Sequence, residues 1–330
     1  MKYYIGIDLG GTNIKGAVVS ETGEILRQSS CPTRAEAGAA AVTESIANMI
    51  NDLAAGREIS GVGMGCPGTV DDAGGTVVYA CNLGWMHYDV RAALREKTGF
   101  SVRLVNDANA AALAEVKAGC AKGAQSAVVV TLGTGVGGGV VLDGKLLTGY
   151  SGAASELGHM VIVADGEPCA CGRRGCFEAY ASATALIRMT KAAMEKHPES
   201  AMHSIAAENG GVDGRTAFAA QQQGDAAGSA GVAGYVHYLS IGVANIVNVF
   251  FPEVVAVSGS SLMMERAVTD LPEPDSPTTP TTVLRGMVKF TSSTALMEPA
   301  SVMKETDRSL ISARFLLFSL ISHSLPSGLP

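Results

Sequence analysis

Residues 3–20 read YYIGIDLGGTNIKGAVVS, and this stretch decides the fold. Two runs of apolar and β-branched residues flank the turn Asp8-Leu9-Gly10-Gly11-Thr12-Asn13, which predicts a strand, a glycine turn and a second strand. Such a turn presents backbone N–H groups without side chains in the way, and this concavity suits phosphate oxygens. Asp8, at the end of the first strand, is placed to orient a magnesium ion through its oxygens.

The same pattern returns 123 residues later. Residues 130–142, VTLGTGVGGGVVL, repeat residues 7–19, IDLGGTNIKGAVV, with a Leu-Gly turn and a second apolar strand in each copy. The Asp143-Gly144 pair that follows suits a tight hairpin, because both residues tolerate positive φ. The repetition predicts two related lobes, each of which opens with a β-hairpin.

The glycine turn of the second copy, Gly133-Thr134-Gly135 followed by glycines at 137–139, is expected to hold the same phosphates. Phosphoryl transfer needs mainly positioning and charge neutralisation, which two donor-rich turns and magnesium supply. The pattern is neither a Walker loop nor a dinucleotide fingerprint, because GKS/T is absent and the glycines lead into a strand. The alternative interpretation is two ordinary hairpins whose glycines serve only tight turning.

The most specific motif in the chain is a cluster of one histidine and three cysteines, whose spacing is typical of a metal site. His159 is followed by Cys169, Cys171 and Cys176 within the run CACGRRGC. Three thiolates and one imidazole make a closed tetrahedral shell, which is how structural zinc is held, and leave no open position for an activated water. The alternative, unrelated buried cysteines beside a lone histidine, fits this spacing poorly.

Two carboxylates flank that cluster. Glu156 precedes the histidine by three residues, and Glu178 follows the last cysteine by two. A metal that fixes the loop would also fix both acids, an arrangement suited to gripping hydroxyl groups.

A candidate base follows a third predicted strand. The segment Asn106-Asp107-Ala-Asn109 begins an Ala-rich helix through Ala118, and Asp107 is placed to accept a hydroxyl proton while the two amides orient it. The structural alternative is a helix N-cap, for which Asn and Asp are favoured. Upstream, Asn82 and Trp85 offer an amide and an indole in a loop, where they are candidates for substrate recognition.

Composition narrows the class of protein. Of 330 residues, 47% are hydrophobic and 17% charged, so the chain has a sizeable core, and its net charge of −7 disfavours a nucleic-acid surface. From the strand-like start of the sequence we expect no signal peptide, and we expect no apolar stretch of the length that spans a bilayer. Seven cysteines, an odd count, favour reduced thiols and a metal site, and hence a cytoplasmic protein with no membrane partner.

Together these motifs resemble the ROK family of sugar kinases, and within it the bacterial glucokinases. The resemblance covers residues 3 to about 260 and rests most on Glu156 to His159 with the CxCGxxGCxE run. It implies an α/β fold of the two-lobed actin/hexokinase/Hsp70-like (ribonuclease-H-like) class, with a cleft between lobes and a zinc-bound loop. The implied reaction is transfer of a phosphoryl group from Mg-ATP to the 6-hydroxyl of glucose, in a homodimer or higher homo-oligomer.

The resemblance also implies roles for individual residues. Asp107 would be the general base, and His159 would bind zinc through one ring nitrogen and the sugar through the other. The expected sugar contacts are Asn82, Asn106, Asp107, Glu156, His159 and Glu178. The residues expected around magnesium and the ATP phosphates are Asp8, Gly10, Gly11, Thr12, Asn13, Gly133, Thr134 and Gly135, with Gly259 near the adenosine.

The chain departs from the family pattern after that glycine. Residues 257–261 read VSGSS where such kinases carry Gly-Gly-Gly, and seven of the twelve prolines lie beyond residue 262. We expect an N-terminal lobe over residues 1–118, a C-terminal lobe over 119–261, and a frame-shifted or foreign tail over 262–330. Such a tail would impair the adenosine site.

Several alternatives stay open at this point. An N-acetylmannosamine kinase or fructokinase fits the same motifs, and polyphosphate serves some similar enzymes as donor. A catalytically impaired sugar-binding relative is compatible with the altered terminus. A sugar-responsive transcription regulator is disfavoured, because the chain starts at the first strand and is acidic.

Overall fold

The computed structural model describes residues 1–259 and a strand at 288–292. The strands are β1 (Tyr3–Leu9), β2 (Asn13–Ser20), β3 (Ile25–Pro32), β4 (Ile59–Cys66), β5 (Thr69–Asp71), β6 (Thr76–Ala80), β7 (Trp85–Tyr88), β8 (Val102–Asn106), β9 (Ala127–Leu132), β10 (Val136–Leu142), β11 (Lys145–Leu146), β12 (Val254–Gly259) and β13 (Val288–Ser292). The α-helices are α1 (Ala39–Ala54), α2 (Val90–Thr98), α3 (Asp107–Ala118), α4 (Glu178–Ala181), α5 (Ala183–Lys196), α6 (Met202–Glu208), α7 (Thr216–Gln222) and α8 (Ala226–Phe250). The predicted tail over 262–330 lies outside the described residues, apart from β13.

The first sheet has the strand order β3-β2-β1-β4-β8. Antiparallel β1, β2 and β3 form the predicted hairpins, and β4 and β8 extend the sheet in parallel with β1. Asp8 pairs with Gly65, and Cys66 pairs with Asn106. Since the carboxyl ends of parallel strands share one edge of a sheet, the glycine turn that starts at Asp8 and the segment that starts at Asn106 lie at the same edge.

The second sheet repeats this arrangement with the order β11-β10-β9-β12-β13. Here β12 runs parallel to both β9 and β13, as β4 runs parallel to β1 and β8. The turn before β11 has positive φ at both central residues, 50° at Asp143 and 70° at Gly144. The predicted duplication and its hairpin turn are therefore confirmed.

Helix α1 covers the first sheet. Its apolar stripe, which includes Ile46, Ile50 and Leu53, is fully buried. Gly16 on β2 permits the close approach, since a Cβ there would lie 2.6 Å from the sulfur of Met49. These apolar residues of α1 are thus part of the core of this unit.

Helix α8 starts at Ala226, before the apolar residues at helical spacing begin at Val232. Asp225 caps it by accepting a hydrogen bond from the Gly228 amide at 2.6 Å, and the helix ends at Phe250, before Pro252. It is long and apolar enough to cross a membrane by length and composition, contrary to the expectation that no such stretch exists, yet 44% of that window is buried within the protein. The helix packs against α4, α5 and α7, as a core helix does.

The described chain separates into two compact units. One comprises residues 1–123 and 139–155; the other comprises 124–138, 156–259 and β13. The first contains the sheet edge of Asp8 and Asn106, and the second contains the histidine–cysteine cluster. The lobe boundaries expected from the sequence, 1–118 and 119–261, stay a prediction, because spatial compactness alone does not define a domain.

Candidate functional site

Two carboxylates approach one buried thiol at the edge of the first sheet. Cys66 is fully buried at the end of β4, and burial raises the pKa of its thiol. The charges of Asp107 and Asp8 raise this pKa further, so both carboxylates lie within electrostatic reach of the thiol. The edge therefore gathers negative charge, the setting that a divalent cation and a proton-accepting base require.

The first glycine turn is tightly fixed at its base and open at its tip. The Gly10 amide donates to the Asn13 carbonyl at 3.0 Å, and the Thr33 hydroxyl donates to the Gly10 carbonyl at 2.6 Å. Gly11, Thr12 and Asn13 are exposed. The turn thus presents its tip to solvent on a rigid base, as a phosphate-binding turn must.

Asn82 lies beside this turn. A Cβ on Gly11 would come within 3.2 Å of the Asn82 Cβ, so glycine is what allows the approach. Asn82 is exposed in a short 3-10 helix, Cys81–Leu83. Trp85, by contrast, is 2% exposed and belongs to the hydrophobic core, and its Nε1 has no hydrogen-bond partner among the described residues; a role of its indole in substrate recognition stays a prediction.

Asn106, and not Asp107, caps helix α3. The Asn106 Oδ1 accepts hydrogen bonds from the amides of Ala108 and Asn109 at 3.0 and 3.1 Å, and its Nδ2 donates to the Gly68 carbonyl at 2.9 Å. Asp107 is the first helical residue, where its Oδ1 accepts from the Ala108 amide at 2.9 Å. The helix N-cap, which is the structural alternative to a catalytic role in this segment, is therefore Asn106 and not Asp107.

Asn106 and Asn109 line a cavity of about 580 Å³ in the first unit. Its walls come from residues 69–73, residues 104–106 and the loop 148–152, together with Val78. Asn109 is 4% exposed, and its Oδ1 has no hydrogen-bond partner among the described residues. The side chains of Asn106 and Asn109, at and just after the carboxyl end of β8, thus line a cavity large enough for a small molecule.

The histidine–cysteine cluster forms in the second unit as predicted. The ligand atoms of His159, Cys169, Cys171 and Cys176 lie within 4.8 Å of one another. The Cys171 and Cys176 sulfurs are 3.7 Å apart, and the Cys169 sulfur is 3.6 Å from the His159 Nδ1. Tetrahedral zinc with ordinary bond lengths requires sulfurs about 3.8 Å apart and a sulfur–nitrogen separation of about 3.6 Å. The donor set therefore fits a zinc ion.

Glycines shape the loop that carries these ligands. Gly172 and Gly175 have φ of 85° and 78°, a region that favours glycine, and a Cβ on Gly175 would clash with the Val163 carbonyl. The Cys169 amide donates to the Arg173 carbonyl at 2.9 Å, which closes the turn between the first and third cysteines. The backbone turns at these two glycines, together with this hydrogen bond, therefore bring the three cysteine thiols close to one another.

One thiol of the cluster ionises readily. Hydrogen bonds from the backbone and guanidinium of Arg173 lower the pKa of the Cys171 thiol to about 6. Burial raises the pKa of the Cys169 thiol to about 12. The lowered pKa of Cys171 favours its thiolate, which is the form that binds a metal.

Glu178 joins this loop to the second glycine turn. Its Oε2 accepts a hydrogen bond from the Val136 amide at 3.0 Å, and its Oε1 lies 3.8 Å from the Cys169 sulfur. Glu156, the other flanking acid, is exposed just before the 3-10 helix Leu157–His159. The loop that carries the metal ligands, residues 159–176, is called the metal loop below. Through Cys169 it contacts one of the two flanking acids, Glu178.

The second glycine run has two different roles. Gly133 and Thr134 are exposed at the tip of the turn. Gly138 and Gly139 are buried, and side chains there would clash with Leu157 and with the Ala108 carbonyl respectively, at 2.6 and 2.7 Å. The expectation that the whole run grips phosphate is therefore wrong for these two glycines, which serve close packing. Gly259 ends β12.

Comparisons with known proteins agree with this geometry. The family model described as ROK family matches residues 4–278. The chain is 35% identical to a glucokinase of Halalkalibacterium halodurans over 78% of this chain and 80% of the relative, and 40% identical to one of Thermotoga maritima over 77% and 81%. The solved ROK glucokinase of Streptomyces griseus, in complex with glucose and AMPPNP, matches with a TM-score of 0.72, 28% identity, and coverage of 94% and 98%.

The duplicated sheets, the two glycine turns and the metal loop define a sugar kinase of the actin/hexokinase-like fold. The chain belongs to the ROK family.

Proposed function

We propose that this protein phosphorylates the 6-hydroxyl of glucose with ATP and that Asp107 is the general base. The observation that carries the proposal is that Asp8, near the end of β1, and Asp107, directly after β8, lie at the same edge of the first sheet. Relatives named glucokinase, at 35 and 40% identity, support glucose as the substrate.

Different groups of the chain have different roles in the proposed reaction. Asp107 accepts the proton of the attacking hydroxyl, which makes that oxygen a better nucleophile towards the γ-phosphorus. Asn106 fixes the start of α3 and so the position of that carboxylate. The amides and hydroxyls at the tips of the two turns, residues 11–13 and 134–135, hold the phosphate oxygens in line with the attack. Magnesium, held with the help of Asp8, would neutralise the charge on the phosphates.

The proposed sugar contacts are polar side chains that can form hydrogen bonds with the several hydroxyl groups of the sugar. Carboxylates accept two hydrogen bonds each, and an imidazole whose Nδ1 faces a metal keeps its Nε2 for another partner. We assign these contacts to Asn82, Asn106, Asp107, Glu156, His159 and Glu178. A cytoplasmic enzyme that acts as a homo-oligomer is part of the same proposal.

A donor and hexose panel tests the proposal. We expect ATP-dependent turnover of glucose in a coupled ADP assay, with lower kcat/KM for fructose and N-acetylmannosamine, and lower rates with polyphosphate as donor. Ready turnover of another hexose without turnover of glucose would contradict the assignment of the substrate. Calorimetric glucose binding without ADP release would instead identify an impaired sugar-binding relative.

A further inference from the structure

The second glycine turn is exposed and needs external support. Gly133 and Thr134 are exposed, and the Gly133 amide donates to the Gly135 carbonyl at 2.9 Å within the turn. Glycine-rich backbone loses much conformational entropy when it is ordered, so a turn of this composition holds its shape only where neighbours fix it.

Three hydrogen bonds from one short segment supply that support. The Glu178 Oε2 accepts from the Val136 amide at 3.0 Å, at one end of the turn. The Ala183 amide donates to the Gly133 carbonyl at 2.8 Å, and the Thr184 hydroxyl donates to the Thr134 carbonyl at 2.8 Å. The carbonyl oxygens of Gly133 and Thr134 thereby face the segment 178–184, and the amides of Thr134 and Gly135 are the ones assigned to a ligand.

That segment follows the last metal ligand without a break. Cys176 is buried, and its carbonyl accepts a hydrogen bond from the Ala179 amide at 2.9 Å. Phe177 is also buried, and its amide donates to the Met160 carbonyl, next to His159, at 2.8 Å. The start of the segment is therefore fixed on both sides by residues of the metal loop.

We propose that Glu178 and Thr184 are positioning residues for the phosphate turn, so that the metal loop sets the affinity for the nucleotide as well as the sugar contacts. The inference rests on the proposed function, because it takes residues 134–135 as phosphate ligands. Thr184 has no place among the sugar or phosphate contacts, and it acts only through the Thr134 carbonyl.

Thr184→Val tests the proposal with almost no change of shape. Loss of one hydrogen bond that orients the turn should raise the KM for ATP and the Kd for Mg·AMPPNP about three- to tenfold. The KM for glucose should stay unchanged. Thr184→Ser keeps the hydroxyl and should restore the wild-type values. Thr190→Val is the matched control: within the described part of the chain the Thr190 hydroxyl donates only to the Leu186 carbonyl of the same helix, at 2.8 Å, so neither constant should move.

The outcomes separate this proposal from the function on which it rests. Wild-type protein that binds no Mg·AMPPNP would overturn both. Nucleotide binding that Thr184→Val leaves unchanged, or an equal rise in both KM values, would overturn the positioning role alone.

Amide hydrogen exchange on the wild-type protein gives a readout that needs no activity. Removal of the metal with a chelator should speed exchange at the Val136 amide, because the loop no longer holds Glu178 against it. The Val62 amide, in β4 of the other unit, serves as the internal control. Unchanged protection at Val136 after complete loss of the metal would overturn the link between metal and turn.

Discussion

The side-chain amide of Asn106 donates a hydrogen bond to the Gly68 carbonyl at 2.9 Å, while the oxygen of the same side chain caps helix α3. One residue thus ties the end of β8 to the segment that follows β4. Gly68 has a φ of 80°, and a Cβ there would clash with the Tyr79 carbonyl, so the acceptor is itself held in place. The position of Asp107 depends on this neighbour.

Asn106→Ala should destabilise the protein by about 1.5–3 kcal/mol, since it removes a helix cap and a hydrogen bond to Gly68. Asn106→Ser retains a capping oxygen and loses only the donor, so it should cost about 1 kcal/mol. Urea unfolding measures both. Equal costs for the two variants would show that the cap contributes nothing.

Asp107→Asn should lower kcat about 10²- to 10⁴-fold, because the amide cannot accept the hydroxyl proton. Glucose affinity, measured by calorimetry, should stay within a few-fold. Asp89→Asn is the control: Asp89 caps α2 by accepting a hydrogen bond from the Ala92 amide at 3.0 Å, and asparagine is an equally good cap. Unchanged turnover in Asp107→Asn would remove that residue from the mechanism.

Cys176→Ser should abolish stoichiometric zinc and lower the unfolding free energy, because metal binding is coupled to the folding of its loop. Elemental analysis of the purified protein measures the metal directly. Cys31→Ser changes a partly buried thiol on β3, outside the cluster, and should retain one zinc per chain. Zinc content unaffected by Cys176→Ser would place the metal elsewhere.

Asp225→Asn should destabilise the protein at neutral pH and lose this effect in acid. Hydrogen bonds from the amides of Gly228 and Ala201 and from the Ser200 hydroxyl lower the pKa of the Asp225 carboxyl below its ordinary value of 3.8. A lowered native pKa contributes stability above the unfolded value, and this contribution is lost as the pH falls through the native value.

Urea unfolding from pH 7 to pH 3 measures the difference between Asp225→Asn and wild type, which should be constant down to about pH 5 and shrink below about pH 4. Ser182→Ala removes an uncharged cap, at helix α5, and its cost should not follow pH. A constant difference for Asp225→Asn across the range would contradict the assigned pKa.

Local signals in the sequence predicted much of this site. The Asp143-Gly144 turn, the boundary between β8 and α3, and the four zinc ligands all follow from spacing and residue type over short distances. The burial of Trp85 was not predictable, because it depends on packing of β7 against the core. The start of α8 carries no such signal, since its first turns are rich in alanine and glycine and lack an apolar stripe.

The hydrogen bond between Glu178 and Val136 could not be predicted from local signals in the sequence. The two residues are 42 positions apart, and the bond joins a side chain to a backbone amide, which leaves no pattern in residue type. The same holds for Asp8 and Asp107, which lie at one edge of the sheet only because β1, β4 and β8 are neighbours in it.

The most direct test of the central claim is glucose 6-phosphate formation by the full-length, zinc-loaded chain with Mg-ATP, followed with a coupled dehydrogenase. We predict glucose-dependent product that Asp107→Asn abolishes and that Asp89→Asn leaves intact. Absence of product from the wild-type chain with glucose, at saturating ATP, would contradict the claim.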